Sequence, residues 1–375
     1  MPPVSAPVQK AAPPITSTPP RLEALDGVRG LAVIAVLLFH AGVSWAGGGY
    51  LGVDVFFVLS GFLITSLLLA ELDRTNGIDL RRFWSRRVSR LFPALLALIV
   101  VGTAFGSFIA PFESVRDVRD DALATLGQVV NWRMVDTIGH TLVGATRSPF
   151  QHCWSLAIEA QFYLFWPPLV VLVAKGPWPG SRRRNVGVVA AALTPASAVG
   201  MAVLVGPGWH TQRSYYGTDT RAQALLVGAV LAALIGHRLT GQHRTLSPPT
   251  SVGISAAGTL AGAGVLVAFV AAPTSGHAMY DGWYVVVAVA VALVLSQLVL
   301  APSGVVPRLL SARPLVGVGR ISYSLYLWHW PVLLVITEGR TGLSGLPLLV
   351  ARLIVSVVVA IGSYAVVEHR FHANR

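Results

Sequence analysis

The sequence predicts an all-α, polytopic membrane protein of about ten transmembrane helices, with both termini cytoplasmic. Three observations predict it. Of the 375 residues, 54% are hydrophobic and only 12% are charged, whereas soluble domains carry roughly 25% charge. Apolar stretches of about 20 residues, the length that crosses a hydrocarbon core about 30 Å thick, recur along the chain. The segments between them divide their arginines very unequally between two sides.

Read in windows of about 19 residues, the spans fall at 29–47, 50–72, 91–111, 151–174, 186–205, 218–236, 251–271, 282–300, 316–337 and 346–367. Residues 1–20, rich in Pro, Ala, Ser and Thr, read as a disordered tail, 21–372 as one membrane domain and 373–375 as a short C-terminal tail. No apolar segment with a small-residue cleavage site precedes the first span, so no removed signal peptide is expected. With the N-terminus cytoplasmic, 18 basic residues lie on that side, among them the run RRFWSRRVSR, and six lie on the other. The positive-inside rule favours this orientation, in a plasma (inner) membrane. The net charge of +12 is then topological and does not mark a nucleic-acid binder. A single cysteine, Cys153, permits no internal disulfide. The connection 112–150 mixes Glu113, Asp117, Asp120 and Asp121 with arginines, and reads either as an interfacial helix or lid or as a solvated amphipathic segment.

Ionisable side chains within spans cost several kcal/mol and normally face a cavity or a partner, so they come first as candidates. Arg29 and His40 are separated by about 1100° of helix rotation and about 16 Å of rise, which places them on one face. Arg29 lies near the cytoplasmic interface, where it either borders a site or snorkels and pairs with Asp26. His40 lies past the midplane, either as a proton acceptor or as an inter-helix hydrogen-bond partner. Asp54 opens the second span, paired with His40 or simply favoured by the helix dipole. Arg86, Arg87 and Arg90 precede the third span beside Phe83 and Trp84; they form a positive stop signal or a seat for a phosphorylated, ring-bearing ligand. The fourth opens with His152, Trp154, Ser155, Glu159, Gln161 and Tyr163, where Glu159 calls for a partner or a hydroxyl-bearing substrate. Asp219 and Arg221 open the sixth, where they either pair with other helices or meet a substrate, and Arg320, Ser322, Tyr323, Trp328, His329 and Trp330 lie in the ninth. His329 either shares a cavity with His40 or bonds a neighbouring helix.

The series LDGVRGLAVIAVLLFH, GGYLGVDVFFVLSGFLIT, FWSRRVSRLFPA, WSLAIEAQFYLFWP, TDTRAQALLVG, ISYSLYLWHWPV and VEHRF resembles acyltransferase family 3, the integral-membrane O-acyltransferases, over about residues 20–372. The resemblance implies transfer of an acyl group, acetyl or another short one, from cytoplasmic acyl-CoA to a hydroxyl of an envelope glycan, glycolipid or secreted metabolite. Acyl-CoA enters as a co-substrate, and neither a permanently bound cofactor nor a metal is expected. The family's arginine-histidine signature falls on Arg29 and His40, its Arg-x-x-Arg signature on Arg87 and Arg90, and the glutamate of its Trp-Ser-Leu motif on Glu159. Many members carry a second acid where this chain has Ala160. Some append an SGNH-type extracytoplasmic domain, which is not read here. The bundle then completes transfer alone, or with a separate extracytoplasmic transferase or as a homo-oligomer.

The mechanism these residues permit has Arg86, Arg87 and Arg90 on the CoA phosphates and the pantetheine arm along the Arg29 and His40 face. His40 serves as general base or carries the acyl group as an acyl-imidazole. Asp54 or Glu159 orients the imidazole or the sugar. Trp154, Trp328 and Trp330, with Asp219, Arg221 and His329, meet the acceptor. The competing expectation is a proton-coupled transporter or flippase using a relay of His40, Asp54, Glu159 and Asp219. The Ala, Val, Gly and Arg bias fits a high-GC bacterium.

Overall fold

Helix ends follow short-range chemistry. The helix Leu80–Ala104 starts behind Asp79, whose carboxylate accepts from the Arg82 backbone N–H at 2.9 Å. The helix Arg182–Leu204 starts behind Ser181, whose hydroxyl accepts from the Arg184 N–H at 3.3 Å. Each cap satisfies a donor that the first turn leaves without an intrahelical partner. Pro248 and Pro249 open another helix, where a missing N–H costs nothing. Asn76, in the left-handed conformation, closes Gly52–Thr75.

The computed structural model describes residues 23–109, 115–138, 148–177, 179–205, 209–240, 247–273 and 277–368. The expected tails at 1–20 and 373–375 lie outside them. Ten helices of 14 residues or more are found among the described residues: α1 (Glu23–His40), α2 (Gly52–Thr75), α3 (Leu80–Ala104), α4 (Trp154–Lys175), α5 (Arg182–Leu204), α6 (Thr218–Ile235), α7 (Pro248–Ala271), α8 (Trp283–Leu300), α9 (Ser322–Val335) and α10 (Gly345–Ser363). No strand occurs among the described residues. The protein is an all-α, polytopic membrane protein. Eight helical runs, those containing α2 to α8 and α10, are long and apolar enough to cross a bilayer. The other two differ for visible reasons: α1 carries Glu23, Asp26 and Arg29, and α9 has only 14 residues.

Three expected spans are corrected: the third, expected at 91–111, runs Leu80–Ala104 and leaves the helix at Phe105. The first does not run to residue 47 but stops at His40, because Gly42 takes φ +80° and the glycine-rich stretch after it forms a tight 3₁₀ turn, Ser44–Leu51. His40 is therefore the last residue of α1. The ninth is broken at Ile321 into a short amphipathic helix, Arg313–Arg320, and α9. Within 112–150 the described part forms two helices, Val115–Leu126 and Val130–Ile138. They are tied to the bundle by Gln161, whose amide donates to the Gln128 carbonyl at 2.7 Å and to Asn131 at 2.9 Å.

One close approach in the bundle brings α2 against α6. A Cβ on Gly61 would lie 1.9 Å from the Leu225 carbonyl oxygen, and one on Gly228 would lie 2.1 Å from that of Val58. Without side chains at these points the two backbones touch, as small residues allow in lipid. Replacing Gly61 or Gly228 by Ala should destabilise the protein by about 1–3 kcal/mol through overpacking. Thermal unfolding in detergent measures it, and an unchanged midpoint in both variants would contradict the contact.

Candidate active site

A cavity of about 500 Å³ opens among α1, α2, α3, α4 and α9, at the arginine-rich end of the bundle. Its wall carries Arg29, Arg87 and Arg90 together with Ser60, Glu159 and Tyr163. Arg29 donates to Asp26 at 3.1 Å. Arg87 lies 5.6 Å from the centre of the Phe83 ring. Among the described residues neither Arg87 nor Arg90 forms an ion pair with a carboxylate, so two guanidinium groups stand on the cavity wall without a bonded acid. Glu159 accepts from the Ser60 hydroxyl and, at 2.7 Å, from the Tyr163 hydroxyl. The inner wall includes Phe56, Ser155 and Tyr326.

Behind Tyr326 stand three imidazoles from three helical segments. His40 Nδ1 lies 2.9 Å from His329 Nε2, which joins the end of α1 to α9. His329 Nδ1 donates to the Tyr326 carbonyl at 2.6 Å. His152 Nε2 donates to the Leu327 carbonyl at 2.9 Å. The sequence explains that last bond, because Pro331 lacks the N–H that would otherwise claim the carbonyl four residues earlier. The Tyr326 hydroxyl donates to the His152 carbonyl at 2.9 Å and shares a 2.6 Å bond with Ser155. Trp330 presents its edge to His40 with centroids 5.1 Å apart, and its indole N–H is held by the Ser148 carbonyl at 2.8 Å. Arg352 of α10 donates to Ile336 at 2.8 Å and to Ala41 at 3.3 Å, bracing the ends of the two helices that bear His40 and His329. Among the described residues no three His, Cys, Asp or Glu side chains converge as metal ligands.

Several expected site residues lie elsewhere. Asp54 does not touch His40; it pairs with Arg221 at 3.0 Å, both side chains only 1% exposed. An acid in a bilayer takes the partner of opposite charge that stands at its own depth, and each of these residues lies within the first turn of its helix. Arg221 is enclosed by Phe57, Trp154, Tyr215 and Tyr284, the last 4.2 Å from its guanidinium carbon. Arg221 and Trp154 are thus buried and lie off the wall of this cavity. Asp219, exposed, is bound by Arg213 at 2.7 Å. Arg86 is exposed and off the cavity wall, one helical step round from Arg87. Trp328 is half-buried and also off that wall. Glu159 faces the cavity without touching an imidazole. The four groups of the relay expected for a transporter are bound to four different partners and form no chain. Sequence reasoning missed Tyr326 and Arg352. Tyr326 precedes His329 by three residues, the spacing of a shared helix face, which was a usable signal.

The family described as an acyltransferase domain matches residues 22–368, nearly the whole chain. The chain belongs to acyltransferase family 3. Relatives of this acyltransferase family include the peptidoglycan O-acetyltransferase OatA of Listeria monocytogenes, 36% identical over 318 residues that cover 84% of this chain and 49% of that protein. The O-acetyltransferase OatA of Staphylococcus aureus is 34% identical over 86% of this chain and 52% of its own length. The putative peptidoglycan O-acetyltransferase YrhL of Bacillus subtilis is 35% identical over 92% and 54%. The chain spans about half the length of the curated relatives it matches. No solved structure matches it.

In this member of acyltransferase family 3 the Asp54 and Arg221 pair should behave as a structural unit. Asp54→Leu strands a buried guanidinium and should cost about 3–5 kcal/mol, most of it regained in Asp54→Leu with Arg221→Met. Thermal unfolding of the three variants in detergent measures it, and a double variant no more stable than the single one would refute the pairing.

Proposed function

We propose that the chain transfers an acetyl group from acetyl-CoA, bound at the arginine-rich end, to a hydroxyl of a peptidoglycan glycan strand, with His40 as general base. The observation that carries this reading is the imidazole pair directly behind Tyr326, the inner wall of a cavity on which Arg87 and Arg90 stand without a bonded acid. The names of the relatives support acetyl as the group and peptidoglycan as the acceptor.

Guanidinium forks suit phosphates, so Arg87 and Arg90 hold the CoA phosphates, and Arg29 borders the path inward. Ser60, Glu159 and Tyr163 offer hydrogen bonds to the amides of the pantetheine arm. Chemistry follows at His40. Its basic nitrogen takes the acceptor's hydroxyl proton as the oxygen bonds to the thioester carbonyl carbon. The carbon–sulfur bond then breaks, and the proton passes from the imidazole to the departing CoA thiolate. In the same reading the chain makes ten crossings of the plasma membrane with both termini cytoplasmic, so that the arginine-rich cavity meets the cytosolic donor pool.

Cells that gain this chain should gain base-labile acetate on their glycan strands, read by mass spectrometry of digested envelope. An unchanged acetate content with the protein present in the membrane would overturn the reading. His40→Ala should abolish the gain while leaving the Kd for acetyl-CoA near wild type in a membrane binding assay. Arg87→Ala and Arg90→Ala should each raise that Kd by about tenfold, the loss of one charge-assisted contact. An unchanged Kd in the double variant would place the donor elsewhere.

A further inference from the structure

We propose that His329 is a positioning residue that fixes the tautomer of His40, so that Nε2 and not Nδ1 receives the acceptor's proton. The inference rests on His40 being the base.

The bonding leaves one arrangement for the neutral pair. A carbonyl oxygen only accepts, so the 2.6 Å contact to Tyr326 requires the proton of His329 on Nδ1. A neutral imidazole has one N–H, which leaves His329 Nε2 as an acceptor. Its 2.9 Å bond to His40 then needs the donor on the other ring, so the proton of His40 sits on Nδ1 and its lone pair on Nε2. The ring geometry agrees. The planes differ by 20° and the centroids lie 5.1 Å apart, which sets the rings edge to edge with the N–H directed along an in-plane lone pair.

The surroundings hold this arrangement. His152 packs edge-on against His329 at 5.4 Å, but its Nε2 proton is committed to the Leu327 carbonyl, so it offers no competing N–H to His329. Trp330 presents its ring edge to His40, and Arg352 ties together the ends of the two helices that carry the pair. When His40 takes a proton, the bond from its Nδ1 to His329 becomes charge-assisted and strengthens. His329 thus acts on the reaction through His40, as the orienting member of a base pair, and touches no reacting atom. Here that member is a neutral imidazole, where a carboxylate is more familiar.

Two variants of similar polarity separate this role from simple packing. The amide of His329→Gln reaches the place of Nε2 and can accept from His40, whereas that of His329→Asn ends nearer the place of Nδ1 and can bond only the Tyr326 carbonyl. The full chain in membrane vesicles is assayed with acetyl-labelled acetyl-CoA as the probe, reading label incorporated into base-labile ester. The inference expects His329→Asn to lose roughly 10- to 100-fold in kcat, part of the 10²–10⁴ that general-base catalysis contributes. KM for acetyl-CoA should stay unchanged, and His329→Gln should recover most of the loss. Equal kcat in the two variants, or a loss expressed in KM, overturns it. His40→Ala is measured beside them. If that variant keeps wild-type kcat, the base reading itself fails; if it is inactive while His329→Asn is fully active, only the tautomer inference fails.

Discussion

The Asp54 and Arg221 ion pair is the interaction on which the rest of the bundle depends. Two unit charges removed from water bring a desolvation penalty that their attraction offsets only when the geometry is good and the surroundings supply further contacts. The fold meets that demand with four aromatic rings on the guanidinium, drawn from α2, from the start of α4, from the segment before α6 and from α8. Cation–π contacts of this kind reach about 2 kcal/mol each when desolvated. One residue thereby gathers four parts of the chain around itself. The glycine contacts between α2 and α6 lie farther along the same two helices, so the ion pair sets their depth and the glycines set their distance. With α2 and α4 so fixed, Ser60 and Glu159 meet on the cavity wall.

Much of this was legible in the sequence, and the residues show where it stopped. Composition and spacing sufficed for the all-α membrane class, and the helical period alone placed Arg29 with His40 and Arg87 with Arg90 on shared faces. Partner choice was harder, because periodicity fixes direction on one helix and says nothing about which helix stands opposite. For Asp54 the sequence left open a pair with His40 or a carboxylate favoured by the helix dipole; the opposite charge at matching depth on α6 was the stronger physical argument. For Arg221 the sequence left open pairing with another helix or contact with an acceptor, and the structure shows the pairing. A polar or aromatic group inside a membrane needs a partner, and for Arg221 and Trp154 the protein itself is the partner. The shortened α1 was legible too, since Gly42 and the glycines at 47–49 argue against helix in a way that a hydropathy window averages out.

Proline has an unusual part in assembling the imidazoles. Within a soluble helix Pro331 would mostly be a defect, costing a backbone hydrogen bond. In a bundle where every backbone group must be satisfied internally, the carbonyl it releases becomes a specific acceptor, and His152 occupies it. Tyr326, one residue earlier, contributes its carbonyl to His329 and its hydroxyl to the His152 carbonyl. The WHWP stretch of α9 thus encodes both the imidazole and the free acceptor that places its neighbour.

Tyr326 also sets the relation between the arginine-lined cavity and the imidazole pair. Its side chain forms the cavity's inner wall with Phe56 and Ser155, while its backbone carries the hydrogen bond that orients His329, and through it His40. A ligand that fills the cavity therefore presses on the same residue that holds the imidazole pair. The cavity and the imidazole pair are thus linked through one residue, the side chain of Tyr326 on one and its carbonyl on the other. In the proposed function, the position of the base is thereby tied to a residue of the wall that the donor would touch.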